Sequence, residues 1–368
     1  MTQPPEPGTI VTWEEIDTPF LAVDLDALDY NVQVLVSWCR RYGKQWRPHA
    51  KCHKCPELAK RLLAAGATGL TCAKSSEALV FAEYGIRDLL IANFVVGKHK
   101  LERVVAICRL ADPIICVDHI EQAIALDEVL GRHALTARVL IEVDIGMQRA
   151  GAKPGEALRL ALELARLPHL ELAGLMGYEG HLLCVADPDE KRQRIHRALD
   201  ILGELTQKLS QHGIGCQIVS CGGTGSLPYC LEHPAPTELQ AGGGIFMDEF
   251  YRHHCRALAL RQALWVEATV VSCPDERRVI IDAGRKSLSL DLAWPRIVVP
   301  PGCHLRGLSA EHGVVELPPQ VQRPRLGSRM KLLPGYGDFT TVLHDRFVVG
   351  TAEGVVGFWP LAARGRLQ

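Results

Sequence analysis

The sequence predicts an α/β chain, a (β/α)8 barrel of TIM type followed by a mainly antiparallel β domain, on three observations. From Phe20 onward an apolar, β-rich run and an amphipathic helical run alternate with a period of roughly 22–30 residues, the pattern of parallel βα units. The strand runs are continuously apolar, as strands covered on both faces are. After about Cys255 the long helical runs stop, and short β runs are separated by Pro and Gly. The chain therefore divides into an N-terminal lead-in (1–19) that can pack on the β domain, a barrel (20–254) and a C-terminal β domain (255–368).

Eight runs qualify as barrel strands: FLAVDLD from Phe20, WRPHAK from Trp46, GLTCAK from Gly69, LLIAN from Leu89, PIICVD from Pro113, ARVLIEVD from Ala137, LELAGLMGY from Leu170 and CQIVSCGG from Cys216. Between them, PELAKRLLAAG, SSEALVFAEYG and DPDEKRQRIHRALDILGELTQKLSQHG have helical composition and stop at glycine. Lys51, Lys74, Asn93, Asp118, Asp144, Tyr178 and the glycines after Cys221 fall at or just past strand C-termini, where such barrels carry their chemistry. The β domain is read from LWVEATVVSC, RVIIDAG, RIVV, GVVEL, RMKLLPG, DRFVVG and GVVGFWP.

Composition excludes several classes. With 47% apolar residues, 23% charged and a formal net charge of −1, the chain is a folded globular protein with no electrostatic case for nucleic acid. Its apolar runs are too short to span a membrane, and its first residues lack a signal-peptide layout. The 13 cysteines are scattered and odd in number, as free, buried thiols in a reducing cytoplasm would be.

The stretch WRPHAKCHK, from Trp46, carries the most chemistry. It places Lys51 among Arg47, His49, His53 and Lys54, and neighbouring positive charge together with partial burial disfavours an ammonium ion, as an imine-forming lysine requires. Two other readings stay open. Cys52 and Cys55 form a C-x-x-C beside His49 and His53 that would suit zinc or redox chemistry, although no second C-x-x-C accompanies it. The run would also serve as a plain basic loop over an anion. Further along, SCGGTGS from Ser220 can form a backbone anion nest, with Thr224 and Ser226 adding hydroxyls, and AGGGIFMD from Ala241 offers a second glycine run. Arg149 follows the sixth strand run and GYEGH, with Tyr178 and His181, closes the seventh; each alone is ordinary for a loop.

Taken as a set, TPFLAVDLDAL, RPHAKCHK, DIGMQRAG, SCGGTGS, TELQAGGGIFMD, IDAGRKSLSLD, LHDRF and WPLAARGR resemble the fold-type III pyridoxal phosphate enzymes, the alanine-racemase-like barrels, and within them the D-threonine aldolase and D-serine dehydratase family. The resemblance covers almost the whole chain. It implies that Lys51 holds pyridoxal 5′-phosphate as an imine with His49 beside it. Arg149 would contact the cofactor's phenolic oxygen or pyridine face, and Tyr178 would lie near the pyridine nitrogen. Gly222, Gly223 and Thr224 would hold the phosphate, with Gly243 and Gly244 as neighbours. It further implies a small amino-acid substrate and a head-to-tail homodimer in which the β domain of one subunit completes the other's active site.

The family binds a divalent metal through His-x-Asp or His-x-Cys in the β domain. This chain reads PGYGD from Pro334, so Asp338 matches the second ligand while Tyr336 stands where the histidine belongs. Three readings are open: an oxygen-rich site for Mg²⁺ or Mn²⁺, rather than zinc, using Asp338 with water and His181 or His344; no metal, with Tyr336 as acid and base; or a different reaction at the α-carbon. The expected activity is retro-aldol cleavage of a D-3-hydroxy amino acid to glycine and an aldehyde, with His181, Tyr336 or a water taking the hydroxyl proton. A D-serine or 3-hydroxyaspartate dehydratase and an amino-acid racemase are the alternatives.

Overall fold

The run FLAVD forms a strand, β1 (Phe20–Asp24), but this strand does not belong to the barrel. In the computed structural model, which describes residues 11–257 and 259–368, the parallel sheet consists of β2 (Gln45–Trp46), β3 (Leu70–Cys72), β4 (Asp88–Phe94), β5 (Asp112–Val117), β6 (Ala137–Glu142), β7 (Leu170–Met176), β8 (Ile218–Cys221) and β9 (Glu238–Leu239). Their order is β2-β9-β8-β7-β6-β5-β4-β3. A parallel bridge between His49 and Thr71 joins the two ends of this order, supported by Thr68 N–H to Trp46 O (2.8 Å) and Thr71 N–H to Pro48 O (3.0 Å), so the sheet closes on itself. The place read for FLAVD is filled by β9, two residues inside TELQAG. Two residues carry no periodicity, whereas β1 is apolar over its first four residues because both its faces are covered in a different sheet.

Leu90, Ile114, Cys116, Leu140, Ala173 and Met176 pack together from β4, β5, β6 and β7, and full burial of each leucine or isoleucine contributes about 1.5–3 kcal/mol. The helix Pro188–Gln211 starts on Asp187, whose Oδ1 accepts the Glu190 N–H at 2.8 Å, with proline in its first turn. Ile195, Leu199, Leu202, Leu205 and Leu209 form its buried face at helical spacing.

An ion cluster around the buried Arg47–Glu238 pair gathers the N-terminal ends of the barrel strands. The Arg47 Nε donates to both Glu238 oxygens at 3.0 and 2.9 Å, and its Nη1 lies 2.8 Å from Asp88 Oδ1. Arg138 ties Asp88 to Asp112. Asp88, Asp112 and Glu238 are the first residues of β4, β5 and β9, so Arg47 reaches back from the end of β2 toward the opposite rim.

The β unit is built on β1 with β10 (Leu264–Asp275), β11 (Arg278–Ile281), β12 (Arg296–Val299), β13 (His304–Leu308), β14 (Gly313–Glu316), β15 (Arg329–Leu333), β16 (Arg346–Thr351) and β17 (Gly354–Pro360). The order is β13-β14-β11-β10-β1-β16-β17, with β15 pairing β10 and β12; only β1 and β16 run parallel. Phe20, Ala22, Trp265, Leu333, Val348 and Val355 form a core with Val11 and Ile16. Trp13 tilts against Trp265 at 5.0 Å, and Val11 bridges Val355. The rest of the lead-in, residues 1–10, lies outside the described residues.

Because β1 joins this sheet, the compact units cut the chain differently from the segments 20–254 and 255–368. One comprises Met1–Gln33, Cys52–Glu57 and Gly243–Ala362, the other Val34–Lys51, Leu58–Gly242 and Ala363–Gln368. None of the thirteen cysteines is in a disulfide, and nine of them are buried. Among the described residues no helix is long and apolar enough to cross a membrane.

Arg47→Met leaves the buried Glu238 carboxylate without its counter-charge, while Asp88 keeps Arg138. We expect a loss of about 3–5 kcal/mol of stability, read as a lower urea midpoint; an unchanged midpoint would show that the cluster is dispensable.

Candidate active site

Lys51 sits half-buried in the single turn Ala50–Cys52 that follows β2. His49 Nδ1 accepts the Lys51 backbone N–H at 3.4 Å, which makes Nε2 the proton-bearing nitrogen of the neutral ring. Gly242 runs directly against the His49 backbone, where a Cβ would fall inside contact distance of its carbonyl oxygen. Glycine is required there by close approach.

The ring of positive charge read around Lys51 is smaller than expected. Arg47 is spent on Glu238 and Asp88 toward the other rim. His53, fully buried, accepts the Cys55 N–H on Nδ1 at 3.1 Å, and burial, aided by the Lys54 charge, pushes its pKa down to about 3. It is therefore neutral. Cys52 and Cys55, outside any disulfide, belong to the β unit, whereas His49 belongs to the barrel unit.

Arg149 stands on a loop, 144–152, staked at both ends. Asp144 Oδ1 accepts the N–H groups of Gly146 and Gln148, each at 3.0 Å; Asp118 Oδ2 accepts the Gly151 N–H at 3.0 Å. Ala152 N–H donates to Glu142 O at 2.8 Å, and Asp144 N–H to Ala152 O at 3.0 Å. Gly146, Gln148 and Gly151 adopt positive φ, and a Cβ on Gly151 would lie 2.6 Å from Asp144 N, so this turn needs its glycine. The Arg149 guanidinium lies 3.7 Å from Glu142 and 5.7 Å from the Tyr178 ring centre. His181 packs its ring against Gly146.

Tyr178 links this loop to the glycine loop after β8, because its phenol oxygen lies 3.1 Å from where a Gly223 Cβ would be. Gly222 has φ +81°, which opens the turn. The Gly223 N–H is taken by Ser226 Oγ at 3.0 Å, and Ser226 in turn donates to the buried Glu179. Thr224 is buried in the same loop. Behind it, Glu179, Cys221 and Cys230 place ligand atoms within 4.8 Å of one another, the one such group of three among the described residues. Burial pushes both thiols up, which keeps them protonated at neutral pH. Gly243 and Gly244 lie in the turn Gly243–Ile245 of the β unit, Gly243 against Tyr251; the glycine that touches His49 is Gly242.

In the β unit the Tyr336 phenol donates to Asp338 Oδ2 at 3.0 Å and stacks edge-on with Phe250 and Phe339. Asp248 accepts the Gly337 N–H at 2.7 Å, and burial pushes its pKa up to about 8. His344 Nε2 lies 2.9 Å from Ser287 O. A phenol, one aspartate already bonded to it and a histidine turned to a carbonyl make a donor set that does not suit a divalent metal.

Glu142 is not among the residues that the sequence analysis singles out, although an acid inside the apolar run RVLIEV is a legible signal. It is the last residue of β6, and burial, opposed by Arg149, pushes its pKa up to about 7. A carboxyl raised on folding stabilises the protein fully below its unfolded pKa of about 4.5, and that contribution is lost as pH rises through 7. We expect the unfolding free energy of the cofactor-free protein, read from urea unfolding, to fall between about pH 4.5 and 7, and Glu142→Gln to reduce that fall by up to about 3 kcal/mol; parallel curves would contradict this.

Pyridoxal phosphate fits these groups: an amine on Lys51, a glycine loop that a Cβ would crowd, and a cation over an aromatic face. Comparisons with known proteins identify the family. Residues 23–249 match the alanine racemase N-terminal domain and residues 263–350 a putative serine dehydratase domain. The chain is 38% identical to a D-threonine aldolase of Arthrobacter sp, covering 98% of this chain and 96% of that one. It is 30% identical to a 3-hydroxy-D-aspartate aldolase of Paracoccus denitrificans, covering 96% and 93%. The crystal structure of D-threonine aldolase from Filomicrobium marinum superposes with a TM-score of 0.93 at 36% identity, covering 99% and 100%. The chain belongs to the fold-type III pyridoxal phosphate enzymes that join an alanine-racemase-type barrel to a serine-dehydratase-type β domain.

Proposed function

We propose that this chain is a pyridoxal phosphate-dependent lyase that cleaves D-3-hydroxy amino acids to glycine and an aldehyde. One observation carries the reading: Lys51 is delivered to the strand-end face of a barrel that also presents Arg149, Tyr178 and the 222–224 loop, in a chain matched end to end by two aldolases. When bound, the cofactor supplies an electron sink for the pair left on the α-carbon as the bond to the β-carbon breaks. Lys51 provides the amine that holds it and, when released, a base. His49 keeps a proton on Nε2 beside that amine, because its Nδ1 is engaged by the Lys51 N–H. The 222–224 loop and Thr224 hold the phosphate, and Arg149 faces the ring.

Cleavage removes the proton of the β-hydroxyl, turns that oxygen into the aldehyde carbonyl, and returns a proton to the α-carbon to complete glycine. Tyr336 suits the first transfer, since its phenol already donates to Asp338, which can take up the proton passed along. His181 is the other group offered for this role. Aspartate rather than cysteine at 338 favours the aldolase over a D-serine or 3-hydroxyaspartate dehydratase, and a racemase stands further off. The Tyr336–Asp338 pair replaces a resident metal in this reading. The exposed Leu292, Trp294, Val299, Phe339 and Leu343 of the β unit support a homodimer. Free thiols throughout the chain support a reducing, cytoplasmic setting.

Incubated with pyridoxal phosphate and D-threonine or D-phenylserine, the protein should release glycine and an aldehyde, and borohydride should fix the cofactor on the peptide containing Lys51. Pyruvate and ammonia from D-serine would move the assignment to the dehydratase. Lys51→Ala should abolish both the label and turnover.

Activity should be indifferent to a chelator and to added Mn²⁺, Mg²⁺ or Zn²⁺. Tyr336→Phe should lower kcat by roughly 10²–10⁴-fold with little change in KM. Loss of activity on chelation, restored by one ion, would return the metal to the site.

A further inference from the structure

We propose that Glu142 is a positioning residue that sets the direction of the Arg149 guanidinium toward the bound cofactor. The proposal rests on the reading above that Arg149 faces the cofactor. Its basis is a division of labour in the 144–152 loop. The backbone of that loop is fixed without any help from the Glu142 side chain: Asp144 and Asp118 hold its N–H groups, and the paired Val143 and Ala152 clamp its base. What the backbone leaves open is where a long, flexible arginine points, and a guanidinium with four rotatable bonds behind it loses affinity for a planar partner unless something holds it.

Two groups border it. The Tyr178 ring offers a face at 5.7 Å, which attracts the cation without choosing an orientation in the plane. Glu142 offers an oxygen 3.7 Å from Nη2, from a strand residue only 5% exposed whose own backbone is locked between β5 and β7. A carboxylate on a strand is the more precise of the two anchors, because its position does not move with the loop. Burial raises the Glu142 pKa and Arg149 opposes the rise, so the two groups are coupled rather than independent. A purely structural acid at this place would affect folding and leave the cofactor untouched.

The experiment is a double-mutant cycle on the full chain, with Glu142→Gln, Arg149→Ala and both together. It measures the Kd of the cofactor-free protein for pyridoxal phosphate by equilibrium dialysis, the absorption maximum of the bound cofactor, and the thermal midpoint of each variant. Glutamine keeps the shape of the carboxyl and removes its charge, so the fold should survive. We expect Glu142→Gln to weaken binding roughly 5- to 10-fold and displace the absorption maximum in the same direction as Arg149→Ala, with little further loss in the double variant. Two results would overturn the proposal while leaving Arg149 in place: Glu142→Gln that changes only the thermal midpoint, or losses that multiply fully in the double variant. An Arg149→Ala variant with unchanged affinity and spectrum would overturn the placement of Arg149, and the proposal with it. Wild-type protein that binds no pyridoxal phosphate would instead overturn the function assigned above.

Discussion

Pairing of β2 with β9, the two shortest strands of the parallel sheet, is the constraint on which the site depends. β2 and β9 contribute two residues each, too few for a backbone ladder to hold alone. Side chains complete the seam: Arg47 grips Glu238 and Asp88, and the Trp46 indole donates to Ala241 O at 2.9 Å. With the seam held, the chain beyond β2 is bound on one side through His49 N–H to Gln240 O and on the other through Thr71 N–H to Pro48 O. The turn that carries Lys51 follows within two residues, so the position of the amine is inherited from the seam.

The same arrangement shows why positive charge near a lysine in sequence is a poor guide to positive charge near it in space. Arg47 is four residues from Lys51, yet its guanidinium is neutralised among the N-terminal strand ends. His53 is two residues away and is held neutral by burial. The chemistry assigned to Lys51 rests on where β2 ends and on the groups at neighbouring strand ends. Arg149 and Tyr178 come together only because β6 and β7 are adjacent, and Gly223 joins them because β8 comes next.

Each unit is made rigid by short local devices of its own. The 144–152 loop uses two aspartates and three left-handed residues to fix its course, and the 222–224 loop uses Ser226 and Glu179 behind its glycines. In the β unit, Tyr336 and Asp338 satisfy each other across one residue, inside a cluster of aromatic rings. A phenol bonded to a carboxylate moves protons well and binds cations poorly, which is why the substitution at position 336 bears so directly on the choice between metal-assisted and metal-free chemistry.

Most barrel strands, the helical runs between them and the β-rich end of the chain are legible in the sequence, because buried strands and amphipathic helices write their periods into any chain that forms them. Lys51, Arg149, Tyr178 and the glycines after Cys221 are legible too, as polar or conformationally free residues at the ends of apolar runs. Tertiary structure alone decided that β1 leaves the barrel for the β sheet and that β9 takes its place. An apolar strand covered on both faces looks the same in either sheet, and two residues are too few to show a period. It alone decided which charges survive around the lysine and that Glu142 stands under Arg149, since pairing across a closed sheet joins residues whose distance along the chain says nothing about their distance in space.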